Sequence, residues 1–528
     1  MSSDDDSVSN QSSNLIIPEG FIKGENGDLA HVSTGNFLLD FHNSLVRGLS
    51  EEDIKEHIGK ILIHHHSTED LSQHSIKDLF VLAFATRNCR GGKGERKLFQ
   101  IMFERLQLTY PRTCANLVKL IPHFGYWKDV LVLLENSKLD SDFNCALIRT
   151  MSEQLKKDWI EYNRYLSDVE LENAKPEDER VKVPHPKISL CAKYAPRSGM
   201  HFARYRPKSF ERLYSDFSVR CLQQRTFSSH ELEKFFRQSV SKLNKFLDTT
   251  EIHMCNGTWA DIDFAKVPSV CLNKFRKAFL NENNSKFAEN PDRVQCREHL
   301  QSRVSQKMIN GKQLHPHEII DSLGIDSVQF KSNSNPSRTE IELLHAQWDS
   351  MRDSLKLNFS KPIVAMSDVS DSMMFGTGNV IPMIVSISLG ILLSELSTGS
   401  FANKVLTFSG DPRFVDLSRC ETLSHKVQIV CSDNGNARNT NLLKAFKLIL
   451  DIALKDNLTS EQLPSLVIFS DMQFDEGCRN SLNTFDEINK MFTDANYVRL
   501  TIIYWNLNCK DGHPVFNEER NTIIMSGY

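Results

Sequence analysis

The sequence has no Cys-x-x-Cys pair, no unbroken apolar stretch of membrane-spanning length and almost no excess of either charge. Each absence removes a class of function. Twelve cysteines are scattered along 528 residues, so no zinc site is spelled out, and the thiols read as reduced side chains of an intracellular, most simply cytoplasmic, protein. The longest apolar run, Val380 to Leu396, is interrupted by Pro382, Ser386, Ser388, Gly390 and Ser394 and reads as a buried helix rather than a membrane span. A net charge of −4 leaves whole-chain electrostatics silent on nucleic acid, so only local clusters bear on it. The amino terminus, Met1-Ser-Ser-Asp-Asp-Asp-Ser, is acidic and polar, unlike a signal peptide or a mitochondrial presequence. What remains is the composition of a folded chain of two or three domains.

The most informative stretch is Ile363-Val-Ala-Met-Ser-Asp-Val-Ser-Asp-Ser-Met373. A short apolar run ending in a polar cluster reads as a buried strand that delivers Asp368, Ser370 and Ser372 to the carboxyl edge of a sheet, where open α/β sheets bind ligands. One carboxylate and two hydroxyls at alternate positions of a tight loop can converge on one small cation. Mg²⁺, or another divalent ion, suits such hard oxygen donors. Downstream, the loop ending at Thr440 leads into a helix from Leu442 to Lys455, and Ser465 to Asp471 repeats the pattern of an apolar strand ending in Asp. Helix capping by Asp371 or Ser372 is the plainer reading of the first cluster, but it leaves polar residues at three separate strand ends unexplained. A phosphotransfer aspartate fits poorly, because Ser370 stands where a second Asp would be needed.

Ahead of this region, residues 1–25 are polar and expected to be disordered. Residues 26–330 carry successive short amphipathic helices, expected to stack as a HEAT-like helical repeat. A linker spans 331–339, and 340–528 alternate strand and helix, which implies a doubly wound, mostly parallel α/β domain. Two segments are basic. Thr86-Arg-Asn-Cys-Arg-Gly-Gly-Lys-Gly-Glu-Arg96 puts Arg87, Arg90, Lys93 and Arg96 around a glycine turn whose outward N–H groups could hold a phosphate; a tight inter-helix turn explains the same residues. Lys193, Arg197, Arg204 and Arg206 alternate with Tyr194, Phe202 and Tyr205, a composition suited to gripping a phosphate backbone and stacking on bases, or to a solvated face with its aromatics turned inwards. Between them, Trp127 of Ile121-Pro-His-Phe-Gly-Tyr-Trp-Lys-Asp129 is expected to pack in the core rather than stack on a base. His315-Pro-His317-Glu318 reads as a helix start, not as a metal ligand set.

Asp368, Ser370, Ser372, Thr440 and Asp471 together resemble the metal-ion-dependent adhesion site of von Willebrand factor A domains. That resemblance implies serine and threonine ligands, aspartates acting partly through water, and an open position filled by a partner's carboxylate. The Thr86–Arg96 and Ile121–Asp129 motifs, combined with such a domain, resemble an uncharacterised family of plants and large DNA viruses, similar in layout to the Ro autoantigen and its TROVE domain. The resemblance implies a TROVE-like helical domain and an RNA- or ribonucleoprotein-binding role, with virion association if the source is such a virus. A protein-interaction scaffold that ignores RNA is the rival, and a metal-dependent hydrolase the third reading. No nucleophile, base and acid stand at a recognisable spacing, so no enzyme is expected.

Overall fold

The computed structural model describes residues 19–23, 29–67, 76–222, 227–282, 287–324, 336–356, 361–376, 380–432, 441–472, 481–508, 512–514 and 520–528. They fall into two compact units. One comprises residues up to Ser44 with Lys361–Arg419 and Ile429–Ser526; the other comprises Leu45–Ser360, Cys420–Gln428 and Gly527–Tyr528. The expected borders at 25/26 and 339/340 are not where these units divide. Strand β1 (Phe21–Lys23) already pairs antiparallel with β2 (Leu29–His31), and helix α1 (Phe37–Ser44) groups with the sheet rather than with the helices that follow it.

The helical unit begins with α2 (Glu51–Ser67), α3 (Ile76–Arg87), α4 (Arg96–Thr109), α5 (Pro111–Leu117), α6 (Ile121–Phe124), α7 (Trp127–Asn136) and the 32-residue α8 (Asp142–Asn173). It continues through α9 (Cys191–Tyr194), α10 (His201–Tyr205), α11 (Pro207–Leu222), α12 (Ser229–Leu247), α13 (Thr250–Asn256), α14 (Ser269–Leu280), α15 (Pro291–Ser305), α16 (Pro316–Leu323) and α17 (Arg338–Leu355). Side-chain chemistry sets the ends. Ser228 with Glu231, and Ser337 with Glu340, form reciprocal capping boxes, and left-handed Gly257 and Gly324 close α13 and α16, a backbone conformation glycine adopts at no steric cost. Each helix then buries one stripe. In α4 the buried residues are Leu98, Phe99, Met102, Phe103 and Leu106, and Phe84, Phe99, Phe103 and Phe143 form a chain of ring contacts through α3, α4 and α8. Burying one such ring contributes about 1.5–3 kcal/mol. Helix α8 packs against α5, α7, α11 and α12, which makes it the spine of this part. His315 stands at the N-cap of α16, its N–H bonded to Glu318, so the His-Pro-His-Glu run is a helix start, as its residues imply.

The sheet unit follows, with β3 (Ile363–Ser367), α18 (Pro382–Leu396), β4 (Lys404–Thr407), β5 (Phe414–Asp416), α20 (Leu442–Lys455), β6 (Ser465–Ser470), α21 (Ser481–Asp494), β7 (Ile502–Asn506) and β8 (Thr522–Ser526); between β5 and α20, helix α19 (Leu423–Ser432) divides between the two units after Gln428. The strand order is β5-β4-β3-β6-β7-β8, parallel throughout except for the antiparallel edge strand β5. Sequence order runs outward from β3 to one edge and then restarts at β6, so the topological switch point lies between β3 and β6. Val364, Met366, Leu466, Ile468 and Ile502 join Phe446 and Ile449 of α20 and Phe492 of α21 in one apolar core. α18 packs against β3 and β4, so closely that a Cβ on Gly390 would lie 2.1 Å from Ser367 Oγ. Helix α1 contacts β8, accepting hydrogen bonds at its carbonyls from Asn506 and Ser526 at the strand ends.

Candidate metal centre and basic surfaces

The carboxyl ends of β3 and β6 lie side by side, paired from Ile363–Ser465 to Ser367–Phe469, so Asp368 and Asp471 leave the sheet at neighbouring positions of the switch point. Both are 1% exposed. Asp368 donates its N–H to Phe469 O at 3.0 Å, its Oδ1 accepts Ser370 N–H at 2.9 Å and its Oδ2 accepts the Ser470 hydroxyl at 2.7 Å. The hydroxyls of Ser370 and Ser372 lie 3.1 Å apart. Burial lifts the Asp368 carboxyl to about 7, with the neighbouring Asp471 charge adding to the rise. Two carboxylates forced together out of water favour a bound cation or a proton. Met472, directly after Asp471, holds φ at +66°, an uncommon conformation for a bulky residue.

Capping does not account for these residues. No side-chain cap bond comes from Ser370 to the short turn Asp371–Met374, and α18 starts at Pro382 behind Ile381. The donors Asp368, Ser370, Ser372 and Asp471 fit a hard cation, two as carboxylates and two as hydroxyls. Thr440 lies outside the described residues; its neighbour Asn441 donates its N–H to Ser409 O at 3.2 Å, beyond the end of β4. Among the described residues no three His, Cys, Asp or Glu side chains gather as a metal cluster. Ser470, the last residue of β6, was not among the expected site residues; its signal was a hydroxyl directly before Asp471 at the end of an apolar run.

The glycine turn after α3 is a different matter. Its N–H groups point inwards: those of Arg90 and Gly91 bond Asn88 Oδ1, those of Gly92 and Gly94 bond Asn88 O, that of Lys93 bonds Ala85 O, and that of Glu95 bonds Thr86 O. None of these six N–H groups is left for a phosphate. Arg87, 1% exposed, is paired with Asp129 at 2.7 Å, and Arg96 reaches the other oxygen of Asp129 at 2.7 Å. Arg90 donates to His123 O, and Lys93 Nζ donates to Leu45 O at 3.0 Å while burial lowers it to about 7. The two sequence motifs are therefore halves of one buried ion pair. Gly125 completes it, since a Cβ there would sit 2.1 Å from Asp129 Oδ2 and 2.8 Å from Arg87 Nε. Of the four cations expected around a phosphate, Arg87 is enclosed by Asp129 and cannot reach a ligand, whereas Arg90 is exposed and the Arg96 side chain is 39% exposed.

Comparison with known proteins agrees with the two-part layout. A family model described as domain of unknown function (DUF2828) matches residues 24–162 and 145–358, more than half of the sequence. The chain belongs to this family. A second model, domain of unknown function (DUF7788), matches residues 362–528. The uncharacterized protein L728 of Acanthamoeba polyphaga mimivirus is 26% identical over 525 residues, covering 96% of this chain and 82% of that protein. The crystal structure of the Deinococcus radiodurans Ro (RSR) protein aligns over 93% of this chain and 96% of that one, at 11% identity and a TM-score of 0.37, a likeness too weak to carry an argument.

In this DUF2828 member the second basic segment divides. Lys193 is paired with Glu251 at 2.7 Å, and Arg206 is half-buried. Arg197 and Arg204 are exposed, as is Lys208, which sequence reasoning left out of the site. Tyr205 is 70% exposed with His201 stacked on it, ring centres 4.2 Å apart. Phe202 turns inwards. No described helix is long and apolar enough to cross a membrane.

Proposed function

We propose that the chain is a binding protein without catalytic activity, a Ro-like RNA- or ribonucleoprotein-binding protein whose von Willebrand factor A-like sheet unit holds Mg²⁺. The observation that carries this reading is the convergence of Asp368, Ser370, Ser372 and Asp471 on the switch point between β3 and β6. These residues, with Thr440, would hold the ion and leave a coordination position for a carboxylate of a partner protein. Phe375, 76% exposed just beyond Ser372, offers that partner an apolar contact beside the ion. RNA is assigned to the other unit, to Arg197, Arg204 and Lys208 with the Tyr205 ring, in a TROVE-like helical domain.

The metal reading is tested by thermal unfolding of the full chain at increasing Mg²⁺. Tm should rise with Mg²⁺, and Asp368→Asn should abolish the rise without lowering Tm in chelator, because it removes one of two mutually repelling buried charges. A wild-type Tm indifferent to Mg²⁺, Mn²⁺ and Ca²⁺ would end this reading. A scaffold that binds protein alone is the second reading, favoured by the internal use of Arg87, Lys93 and Arg96. Salt decides between them: binding through phosphates weakens steeply as salt rises, and replacement of Arg197 and Arg204 should flatten that slope.

A further inference from the structure

Among the five tryptophans, Trp127 alone meets no ring or cation among the described residues. Trp159 meets Tyr162 and Phe235, Trp259 lies under Arg293, Trp505 meets Phe469, and Trp348 is buried with interactions of its own. No ring or cation among the described residues lies against Trp127, which is half-buried and stands at the first turn of α7. It does not pack in the core as its apolar sequence neighbours suggested. Instead it lines a cleft of about 510 Å³ whose far wall is α8, within the range of about 300–1,000 Å³ usual for small-molecule sites.

The α8 wall is a single stripe. Thr150, Glu153, Gln154 and Lys157 line the cleft at the spacing i, i+3, i+4, i+7 that places side chains on one helix face. Lys119 enters from the turn before α6. Neither Lys119 nor Lys157 has an ion-pair partner among the described residues, whereas Glu153, the one carboxylate of the lining, faces Arg220 at 3.4 Å. The cleft therefore carries two uncommitted ammonium groups. Its floor is fixed from below: buried Asp158 accepts from Ser189 N and Gln154 Nε2 at 3.0 Å each, and from Ser189 Oγ at 2.5 Å. That bonding tethers Ser189, in the segment before α9, to α8 and fixes the Gln154 side chain in the lining.

We infer that this cleft is a nucleotide site, in which the Trp127 indole stacks on a base and Lys119 with Lys157 neutralises its phosphate. A planar π-face and two cations lining one cleft are what base-and-phosphate recognition requires, while the amide oxygen of Gln154, whose Nε2 is held by Asp158, suits a donor on the edge of a base or a sugar hydroxyl. The inference goes beyond the proposed function, since it involves neither the metal centre nor the α10 surface. The same unit of chemistry can arrive as a free mononucleotide or as one residue of an RNA strand.

The test titrates the full chain with adenosine and uridine 5′-monophosphates, inorganic phosphate and a short single-stranded oligouridylate, read by tryptophan fluorescence and calorimetry. Saturable quenching by a mononucleotide or by the oligonucleotide is expected, with phosphate alone binding at least tenfold more weakly. Lys119→Ala with Lys157→Ala, at two exposed positions, should weaken binding at least tenfold in a protein of unchanged Tm. Trp127→Phe should remove the quenching and keep most of the affinity. Binding of the mononucleotide identifies a soluble ligand, and binding of the oligonucleotide only identifies a strand. The inference is overturned if neither probe binds, if phosphate binds as well as the nucleotides, or if the double lysine variant binds normally. Substituting Arg197 and Arg204 leaves mononucleotide binding intact even where it abolishes RNA binding, so this site and the α10 surface fail separately.

Discussion

Asp129 receives a guanidinium on each oxygen, Arg87 on Oδ2 and Arg96 on Oδ1, and also accepts the N–H of Tyr126 at 2.8 Å. Asp129→Asn leaves Arg87 charged and enclosed, and breaking a buried pair from one side costs about 3–5 kcal/mol. Denaturant unfolding should show a loss of that order. Arg96→Ala should cost far less, because the Arg96 side chain is 39% exposed and regains water. Lys93 adds a pH dependence. Its amine titrates near 7 in the fold, through burial, against an ordinary 10.5, so between those values the unfolded chain binds a proton that the folded chain lacks. Stability from this group therefore rises as pH climbs from about 7 to about 10.5 and is lost as pH falls through 7. Lys93→Met should flatten the wild-type stability profile across that window, measured as Tm against pH. The letters of the Arg-Asn-Cys-Arg-Gly-Gly-Lys turn suggested an anion cradle because glycine and cations are what such cradles need. The same letters build an inward knot, and nothing in the composition distinguishes inward from outward N–H groups.

At the scale of elements, β3, β4 and β6 fall where apolar runs bounded by polar residues place them, since strands buried on both faces leave little freedom in sequence. Asp368 and Asp471 were legible for the same reason: an acid at the end of such a strand has no other exit. Ser470 was not, because its role depends on pairing with β3. Ser470→Ala should lower Mg²⁺ affinity while costing little stability, as it frees one Asp368 oxygen; a Mg²⁺ titration unchanged from wild type would exclude that role. Gly390→Ala tests the α18 packing. Its methyl would meet Ser367 Oγ, and forced overpacking of this kind costs about 1–3 kcal/mol, visible as a lower Tm. The long α8 illustrates the opposite limit. Its periodicity announces a helix, but whether its polar stripe faces solvent or a cleft is set by α6 and α7.

For the whole molecule, the division into units is the feature sequence composition handled least well. A border drawn at 339/340 follows the polar run Lys331–Arg338, yet α17 packs with α14 and α16, and α1 adds to a sheet whose first strand begins more than three hundred residues later. Truncation at residue 45 should therefore destabilise the sheet unit: it removes α1 from β8 and removes the carbonyl of Asn43 that Asn506 Nδ2 reaches at 3.0 Å. Limited proteolysis of such a variant should cut residues 361–526 faster than in the full chain. Equal cutting rates would show that α1 is dispensable.

By itself the sequence determined what depends on short range: which segments are helix or strand, where polar residues stop them, and that oxygen ligands end up at strand termini. Tertiary structure alone decided which of those groups meet. It spent Arg87, Arg96 and Lys93 internally, left Arg204 and Tyr205 outside, and turned Trp127 toward a cleft rather than a core. The reason is that burial is a property of neighbours far along the chain. A charge or a ring has the same letter whether a distant helix encloses it or leaves it to solvent.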